Sequence, residues 1–391
     1  MNPLRAHWTL DPEVRFLNHG SFGACPRAVL AVQTEIRAEI EREPVRFLVR
    51  EIEARIDAAR AELALFVGAA PEDLVPVPNA TTGVNAVLRS LAFRSGDEIL
   101  VTNQVYNACR NVCDFVAERS GARVVVASVP FPLRSSDEVL EAVLAAVTPR
   151  TRLALLDHVT SPTGLVFPIA ELVAGLRERG VETLVDGAHA PGMVPLDLRA
   201  IGAAYYTGNL HKWVCAPKGA AFLFARRELQ PALRPPVLSH GANSPRTDRS
   251  RFRIEFDYMG TDDPSAFLAV PACLRFLGGL FPGGFAELFR KNRELALAGR
   301  ATLCRALEVE APAPAAMIGT LGAVPLPPAR THRPADFAYD PLQRALYERH
   351  RIEVPIFTWP APPHRLVRIS AQAYNEPAEY EALASALRAE L

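Results

Sequence analysis

Residues 205–224 read YYTGNLHKWVCAPKGAAFLF: a short apolar run ends in a turn carrying His211 and Lys212, and a second apolar run resumes at Ala220. An ammonium placed there must reach water or give up its charge. The plain reading is a surface turn, for which Gly208 and Pro217 are ordinary formers. The chemical reading is a strand-end amine whose pKa is pulled down, so that it serves as base or nucleophile. Two other features bear on the choice. VETLV is followed by Asp186, Gly187, Ala188 and His189, which puts a carboxylate at the end of an apolar strand. VPNATTGVNAVLRSL places an Asn–Ala–Thr–Thr turn at the start of a helix, where unpaired N–H groups and the positive dipole end suit a phosphate. A simple N-cap by Asn79 or Thr81 is the alternative there.

Such residues need a scaffold that gathers strand ends. EILVTN, RVVVAS, RLALLDHV, VETLVDGAH, AAYYTG and AAFLFA read as strands. Between them lie a helix over about 107–119, the helix SSDEVLEAVLAAV with Ser135 and Glu138 spaced as a capping box, and PIAELVAGLRERG, opening on Pro168 and closing at Gly180. Strands separated by helices of this length predict βαβ units and a mostly parallel sheet covered on both faces. Ligands bind outside the carboxyl ends of such strands. Asn103 and Tyr106 follow EILV; Asp157, His158, Thr160, Ser161 and Thr163 follow RLALL; Thr207, Asn209, His211 and Lys212 follow AAYY. This convergence at one rim favours a functional lysine over a surface turn.

Around that unit, residues 26–66 read as two amphipathic helices interrupted at Pro44, a packing or dimer-forming pair. Residues 233–263 read as a surface excursion and 311–336, rich in Pro and Ala, as an irregular connection. RIEVPIFTW, HRLVRIS and the helix EPAEYEALASALRAEL form a small α+β unit. The expected division is an N-terminal segment 1–59 packed on the small domain and dimer interface, a large α/β domain 60–270 and a small domain 271–391.

The totals narrow the function. With 391 residues and 49% apolar content the chain suits one large and one smaller domain with a sizeable core. Lys+Arg and Asp+Glu balance at 43 each, so nothing points to nucleic acid. The six cysteines, at 25, 109, 113, 215, 273 and 304, form no C-x-x-C pair and give no zinc or redox signature. They read as reduced, semi-buried thiols, with Cys109 and Cys113 on one helix face. The N-terminus has no apolar signal core and no run of about 18 apolar residues occurs, so no membrane is expected and a cytoplasmic location is.

A reactive lysine, a strand-end aspartate and a phosphate-sized helix terminus together suggest pyridoxal 5′-phosphate: the lysine forms a Schiff base, the aspartate keeps the ring nitrogen protonated, and the helix holds the phosphate. The chain lacks G-x-x-x-x-G-K-[ST], and GSFGAC is no G-x-G-x-x-G, which disfavours a nucleotide loop and NAD. The motifs FLNHGSFGACP, EPVRF, NATTGVN, DHVTSPTG, VDGAHAPG, YYTGNLHKW, YMGTDDPSA and VRISAQAYN run in order through nearly the whole chain. As a set they resemble the type I pyridoxal-phosphate enzymes of the class V aminotransferase group, within it the isopenicillin N epimerase-like branch.

The resemblance implies roles. Lys212 is the Schiff-base lysine and Asp186 pairs with the ring nitrogen. His189 sits near the ring 3′-oxygen, and Tyr106 stacks on the ring, a core role being its alternative. Ala80 and Thr81 bind the phosphate with Asn209 and His211, Ser161 joins the cofactor-binding set, and Gly260 with Thr261 reaches the phosphate of a neighbouring subunit. Arg368 holds a substrate carboxylate, a sheet-edge arginine being its alternative, while Asn18, Gly20 and Arg46 line the substrate entrance. His158 reads as structural. Related cysteine desulfurases usually carry histidine at position 106, glutamine at 189 and serine or threonine at 209, together with a loop cysteine that has no counterpart here. Persulfide chemistry is therefore not expected. The expected enzyme is a homodimer with shared sites. It removes Cα–H from an amino acid and goes on to epimerisation or carbon–sulfur elimination. Transamination is the alternative, followed by a non-catalytic cofactor-binding regulator.

Overall fold

The apolar runs between residues 74 and 225 assemble into one seven-stranded sheet. Its order is Leu74–Val77, Ala221–Ala225, Tyr205–Asn209, Glu182–Asp186, Thr151–Asp157, Glu98–Thr102, Arg123–Ala127. The five strands from Tyr205–Asn209 onward are parallel, and Ala221–Ala225 runs antiparallel to both of its neighbours. The structure is a computed structural model and describes residues 2–329 and 340–391. Tyr205–Asn209 and Ala221–Ala225 are buried along their whole length, as strands covered on both faces must be. On one face Val84, Val87, Cys109 and Val112, from helices Ala80–Ser90 and Asn107–Ser120, pack on Val101, Leu155 and Leu223. On the other, Val139, Leu172 and Leu176 pack on Leu100, Leu156 and Val185. Each such side chain, fully buried, contributes about 1.5–3 kcal/mol.

Three local expectations are corrected. Leu74–Val77 is a strand that the sequence reading passed over: Pro76 interrupts its pattern, and the strand lies at the sheet edge, where proline is tolerated. The Ser135/Glu138 capping box does not form. The helix Asp137–Ala145 starts after Ser136 without a side-chain cap, and Glu138 Oε2 accepts instead from the Arg134 amide. The excursion 233–263 contains the helix Arg251–Phe256, whose Phe252 and Phe256 are buried in the same core as Leu223.

The N-terminal helices are Arg27–Arg42 and Ile52–Val67, joined through the π-helical turn Arg46–Glu51, and the break falls at Glu43 and Pro44 as expected. Val29, Gln33, Ile36 and Ile40 are buried at spacings of four, three and four, one stripe of a helix. Both helices share their core with Ala266 and Phe267, and with Val270 and Cys273 at the start of the helix Val270–Gly278. Ahead of them, Arg15–Phe16 pairs with Ile352–Glu353, and Asn2, Trp8 and His19 meet residues 373–375 of the small domain. A boundary at 60 falls inside Ile52–Val67, and one at 270 falls at the start of Val270–Gly278. The first helix cannot be divided there, because Ile56 and Ala59 lie in the same buried stripe as Leu63 and Val67.

Helix Gly284–Leu307 leads into the small domain, a three-stranded antiparallel sheet ordered Ile356–Thr358, Arg365–Ser370, Leu321–Leu326 with helices Pro341–His350 and Pro377–Glu390. Leu321–Leu326 lies inside the expected irregular connection. Its Gly322 and Pro325 hid it, and both are acceptable on an edge strand. Residues 330–336 of that connection lie outside the described residues. All six cysteines are free and buried rather than semi-buried.

Candidate active site

Three strand ends and one helix start meet around a cavity of about 380 Å³. Glu182–Asp186 delivers Asp186, Thr151–Asp157 delivers Asp157, Tyr205–Asn209 runs on into Asn209, His211 and Lys212, and Ala80–Ser90 presents its first residues. Leu74–Val77 is antiparallel to Ala221–Ala225, which itself runs back from the Lys212 turn. Two reversals bring the helix start at Ala80 to the same rim as Lys212.

Lys212 Nζ lies 3.1 Å from His189 Nε2, and the Trp213 indole N–H points at His189 Nδ1 at 3.3 Å. An indole nitrogen can only donate, so Nδ1 accepts and the ring proton sits on Nε2. His189 Nε2–H then donates to Lys212 Nζ, which accepts only as the free amine. The electrostatics act in the same direction. Burial, then the Arg368 charge, lower Lys212 to about 8. Burial, then Lys212, hold His189 well below its usual range, so it stays neutral.

Asp186 is buried. Its Oδ1 accepts from the Ala188 amide at 2.9 Å and its Oδ2 from the Cys109 thiol at 3.1 Å. Burial pushes its pKa up, opposed by those two hydrogen bonds and by Lys212. Asp157, in register beside it, is pushed up further by burial and by the Asp186 charge, and its Oδ2 is buried without a partner.

At the helix start Asn79 caps through Oδ1 to the Thr82 amide at 2.9 Å, so the simple N-cap is present. Ala80 N–H donates to Asn209 Oδ1 at 2.8 Å and is therefore committed to protein. Thr81 lines the cavity, and so does His211, whose Nδ1 is buried without a partner. Tyr106 and Ser161 also line it. Arg368 stands one layer back. It donates to the Ser161 carbonyl and to Ser21 Oγ, and its guanidinium lies 4.9 Å from the Phe357 ring centroid. Its Nε is buried and unpaired, and burial lowers it to about 10.

Other expected residues lie elsewhere. Asn18 bonds Glu353 and Ser21, and the Gly20 amide donates to Ser370 Oγ at 3.0 Å, so both sit behind the cavity wall while Ser21 and Phe22 form it. Arg46 does not reach the cavity of its own chain; it pairs with Glu43 and Glu51 on a half-exposed surface. Gly260 and Thr261 are outside it as well, in the turn where Tyr258 meets Thr261 at 3.2 Å. His158 bonds Tyr206 through Nδ1 at 2.9 Å and does not line the cavity, a structural place as read. Sequence reasoning gave no role to Cys109, Asp157 or Lys218, all three at the site. The available signal for Asp157 was that two successive strands both end in aspartate.

The residues fit a phosphorylated, ring-bearing aldehyde cofactor. Two amines, two buried carboxylates and one helix terminus face a single cavity of suitable size, and buried polar atoms of Asp157 and His211 have no partner in the protein. The chain has only three lysines; Lys291 pairs with Glu287 on an exposed helix, and Lys218 donates to the Gly23 carbonyl at 2.9 Å, which leaves Lys212.

This sheet order, with the amine in the turn that precedes the antiparallel strand, puts the molecule among the type I pyridoxal-phosphate-dependent enzymes. A sequence model of the family aminotransferase class-V matches residues 24–320. The isopenicillin N epimerase of Amycolatopsis lactamdurans is 40% identical over 398 residues, covering 98% of this chain and 97% of that protein. A probable chloroplastic L-cysteine desulfhydrase of Arabidopsis thaliana is 33% identical over 401 residues, covering 96% and 83%. The fold matches, at TM-score 0.81 and 22% identity over 98% of both chains, a lysine-to-alanine mutant of C-DES with glycine covalently linked to its PLP cofactor. The chain belongs to the aminotransferase class-V family. It is an enzyme of that family's pyridoxal-phosphate-dependent epimerase and carbon–sulfur lyase group.

Proposed function

We propose that Lys212 anchors the cofactor and removes the Cα proton of an amino-acid substrate, leading to epimerisation or to β-elimination at a carbon–sulfur bond. The observation that carries this reading is the donation from His189 Nε2–H to Lys212 Nζ, which requires a free amine. At a pKa of about 8, about one Lys212 in ten is unprotonated near pH 7, against about one in three thousand for an ordinary lysine. When bound, pyridoxal phosphate supplies an aldehyde that links to amines and a ring that draws electron density from Cα.

The protein's own residues do the rest. Asp186 offers its carboxylate to the ring nitrogen, whose positive charge offsets the burial that pushes the group up. His189 donates from Nε2 toward the ring oxygen, and Tyr106 covers the ring face. Thr81, Asn209 and His211 hold the phosphate; Ala80, its N–H spent on Asn209, orients that side chain. Ser21, Ser161 and Arg368 hold the substrate carboxylate. Epimerisation also needs an acid opposite Lys212. Tyr106 lines the cavity and His158 does not, so Tyr106 takes that role. Elimination needs Lys212 alone.

The enzyme works as a cytoplasmic homodimer in which Gly260 and Thr261 serve the partner's phosphate site. In support, Phe22, Val45, Val49 and Leu65 expose large apolar surface on the N-terminal segments. For the location, all six cysteines are unpaired thiols, and among the described residues no helix is long and apolar enough to cross a membrane.

The test is incubation with L-cysteine, an S-substituted cysteine, its sulfoxide and a panel of other L-amino acids in D₂O. Pyruvate release identifies elimination, and deuterium at Cα with inversion identifies epimerisation. Accumulation of the pyridoxamine form, reversed by a 2-oxo acid, would replace both with transamination.

A further inference from the structure

The geometry points to His19 as the positioning residue of the lysine turn: we propose that residues 18–23, through His19, fix the peptide of Lys212 and couple it to the strand that carries Arg368. This rests on the reading of Lys212 as cofactor lysine.

His19 is fully buried between three elements. Its Nε2 lies 2.9 Å from the Lys212 carbonyl oxygen and its Nδ1 lies 2.7 Å from the Tyr374 hydroxyl. A carbonyl oxygen only accepts, so Nε2 carries the proton. Nδ1 then accepts from Tyr374 O–H, and the chain of donation runs Tyr374 to His19 to Lys212. Burial lowers His19 to about 3, so this single neutral tautomer holds across the working range. The Lys212 carbonyl also accepts from the Cys215 amide at 3.0 Å. Two donors from different parts of the chain thus hold the main-chain carbonyl of Lys212.

The same segment grips the turn at a second point. Gly23 has a left-handed backbone (φ 70°), and a Cβ there would overlap the His211 carbonyl oxygen, so only glycine allows the approach. Gly23 accepts from Lys218 Nζ at 2.9 Å. Between the two grips, the Gly20 amide donates to Ser370 Oγ at 3.0 Å, and Ser21 Oγ accepts from Arg368. One six-residue segment therefore ties the amine that takes the Cα proton to the guanidinium that holds the substrate. A small misplacement of either group costs rate steeply, because the attack geometry is lost while binding remains.

His19→Leu keeps the volume and removes both hydrogen bonds. His19→Gln restores an N–H donor and an oxygen acceptor at a spacing close to that of the imidazole nitrogens. Cofactor-free protein is mixed with pyridoxal phosphate, and attachment is followed by visible absorbance; borohydride fixation and peptide mapping locate the lysine. Turnover is measured on the loaded forms. In His19→Leu attachment slows about tenfold and kcat falls about tenfold, with KM within about threefold, and His19→Gln recovers most of both. Tyr374→Phe, which deletes one hydroxyl, moves both readouts the same way by about twofold to fivefold. Wild-type attachment and kcat in folded His19→Leu, or equal losses in Leu and Gln variants, would overturn the proposal. So would a silent Tyr374→Phe, which decides the matter if His19→Leu does not fold. Fixation to Lys218 or Lys291 in the wild type would instead remove the Lys212 reading itself.

Discussion

Asp157 and Asp186 end neighbouring parallel strands in register, two buried carboxylates side by side at the floor of one cavity. Two such groups cannot both ionise cheaply, and the pair shares its charge. Asp186 has a thiol, an amide and Lys212 to favour its anion, whereas Asp157 keeps an unpartnered oxygen and is pushed up further. Asp157 is the member that its surroundings push further toward the neutral form. Asp157→Asn should therefore keep kcat within about threefold, whereas Asp186→Asn loses about 100-fold or more while still holding cofactor. Steady-state kinetics with cofactor content measured by absorbance checks this. Equal damage from the two substitutions would mean that the charge is divided otherwise.

The lowered pKa of Lys212 can be read without cofactor. Amine-modifying reagents attack only the deprotonated form, so labelling of Lys212 should show a midpoint near pH 8, located by peptide mapping. A midpoint near the ordinary 10.5 would contradict the buried free amine. The sign for stability follows. Between about 8 and 10.5 the unfolded chain holds the proton and the folded one does not, so stability rises with pH across that window. Lys212→Met should flatten the rise in urea titrations of the cofactor-free protein.

Gly23→Ala should destabilise well beyond the conformational term. A left-handed non-glycine residue costs about 1–3 kcal/mol, and here the added methyl also meets the carbonyls of His211 and Lys212. Gly96 is the control: its φ is 88° but an added Cβ meets nothing within 4 Å, so Gly96→Ala should cost only the conformational part. Equal urea midpoints for the two variants would remove the Gly23 contact from the account of the site.

Sedimentation should give a dimer, and mixed subunits should complement. A Lys212→Ala protein reassociated with a Gly260→Trp protein should recover part of the lost activity, because one hybrid site is intact. A fully active monomer would refute shared sites.

Much of the site is legible in the sequence. Lys212, Asp186 and His189 each follow an apolar strand, and strand ends of a parallel sheet face one rim whatever the packing details. What escaped were relations across the sheet and between chain ends. Asp157 gained its meaning from the register of two strands, and Cys109 from the way Asn107–Ser120 lies over Asp186. His19 lies 355 residues from Tyr374, and no local period announces such a bond. Leu74–Val77 escaped because an edge strand accepts a proline that a central strand would refuse.

The clasp at residues 18–23 also sets a timetable for synthesis. Ribosomes add about 5–20 residues per second, so the 355 residues between His19 and Tyr374 represent about 20–70 s of translation. Throughout that interval Gly20 lacks Ser370, Ser21 lacks Arg368, and His19 lacks the hydroxyl that orients it. The sheet, its helices and Lys212 emerge long before. The nascent large domain thus presents the lysine turn while the segment that supplies Ser21 and Phe22 to the cavity wall still lacks its partners on the later strand. The clasp is completed only once strand Arg365–Ser370 has been made.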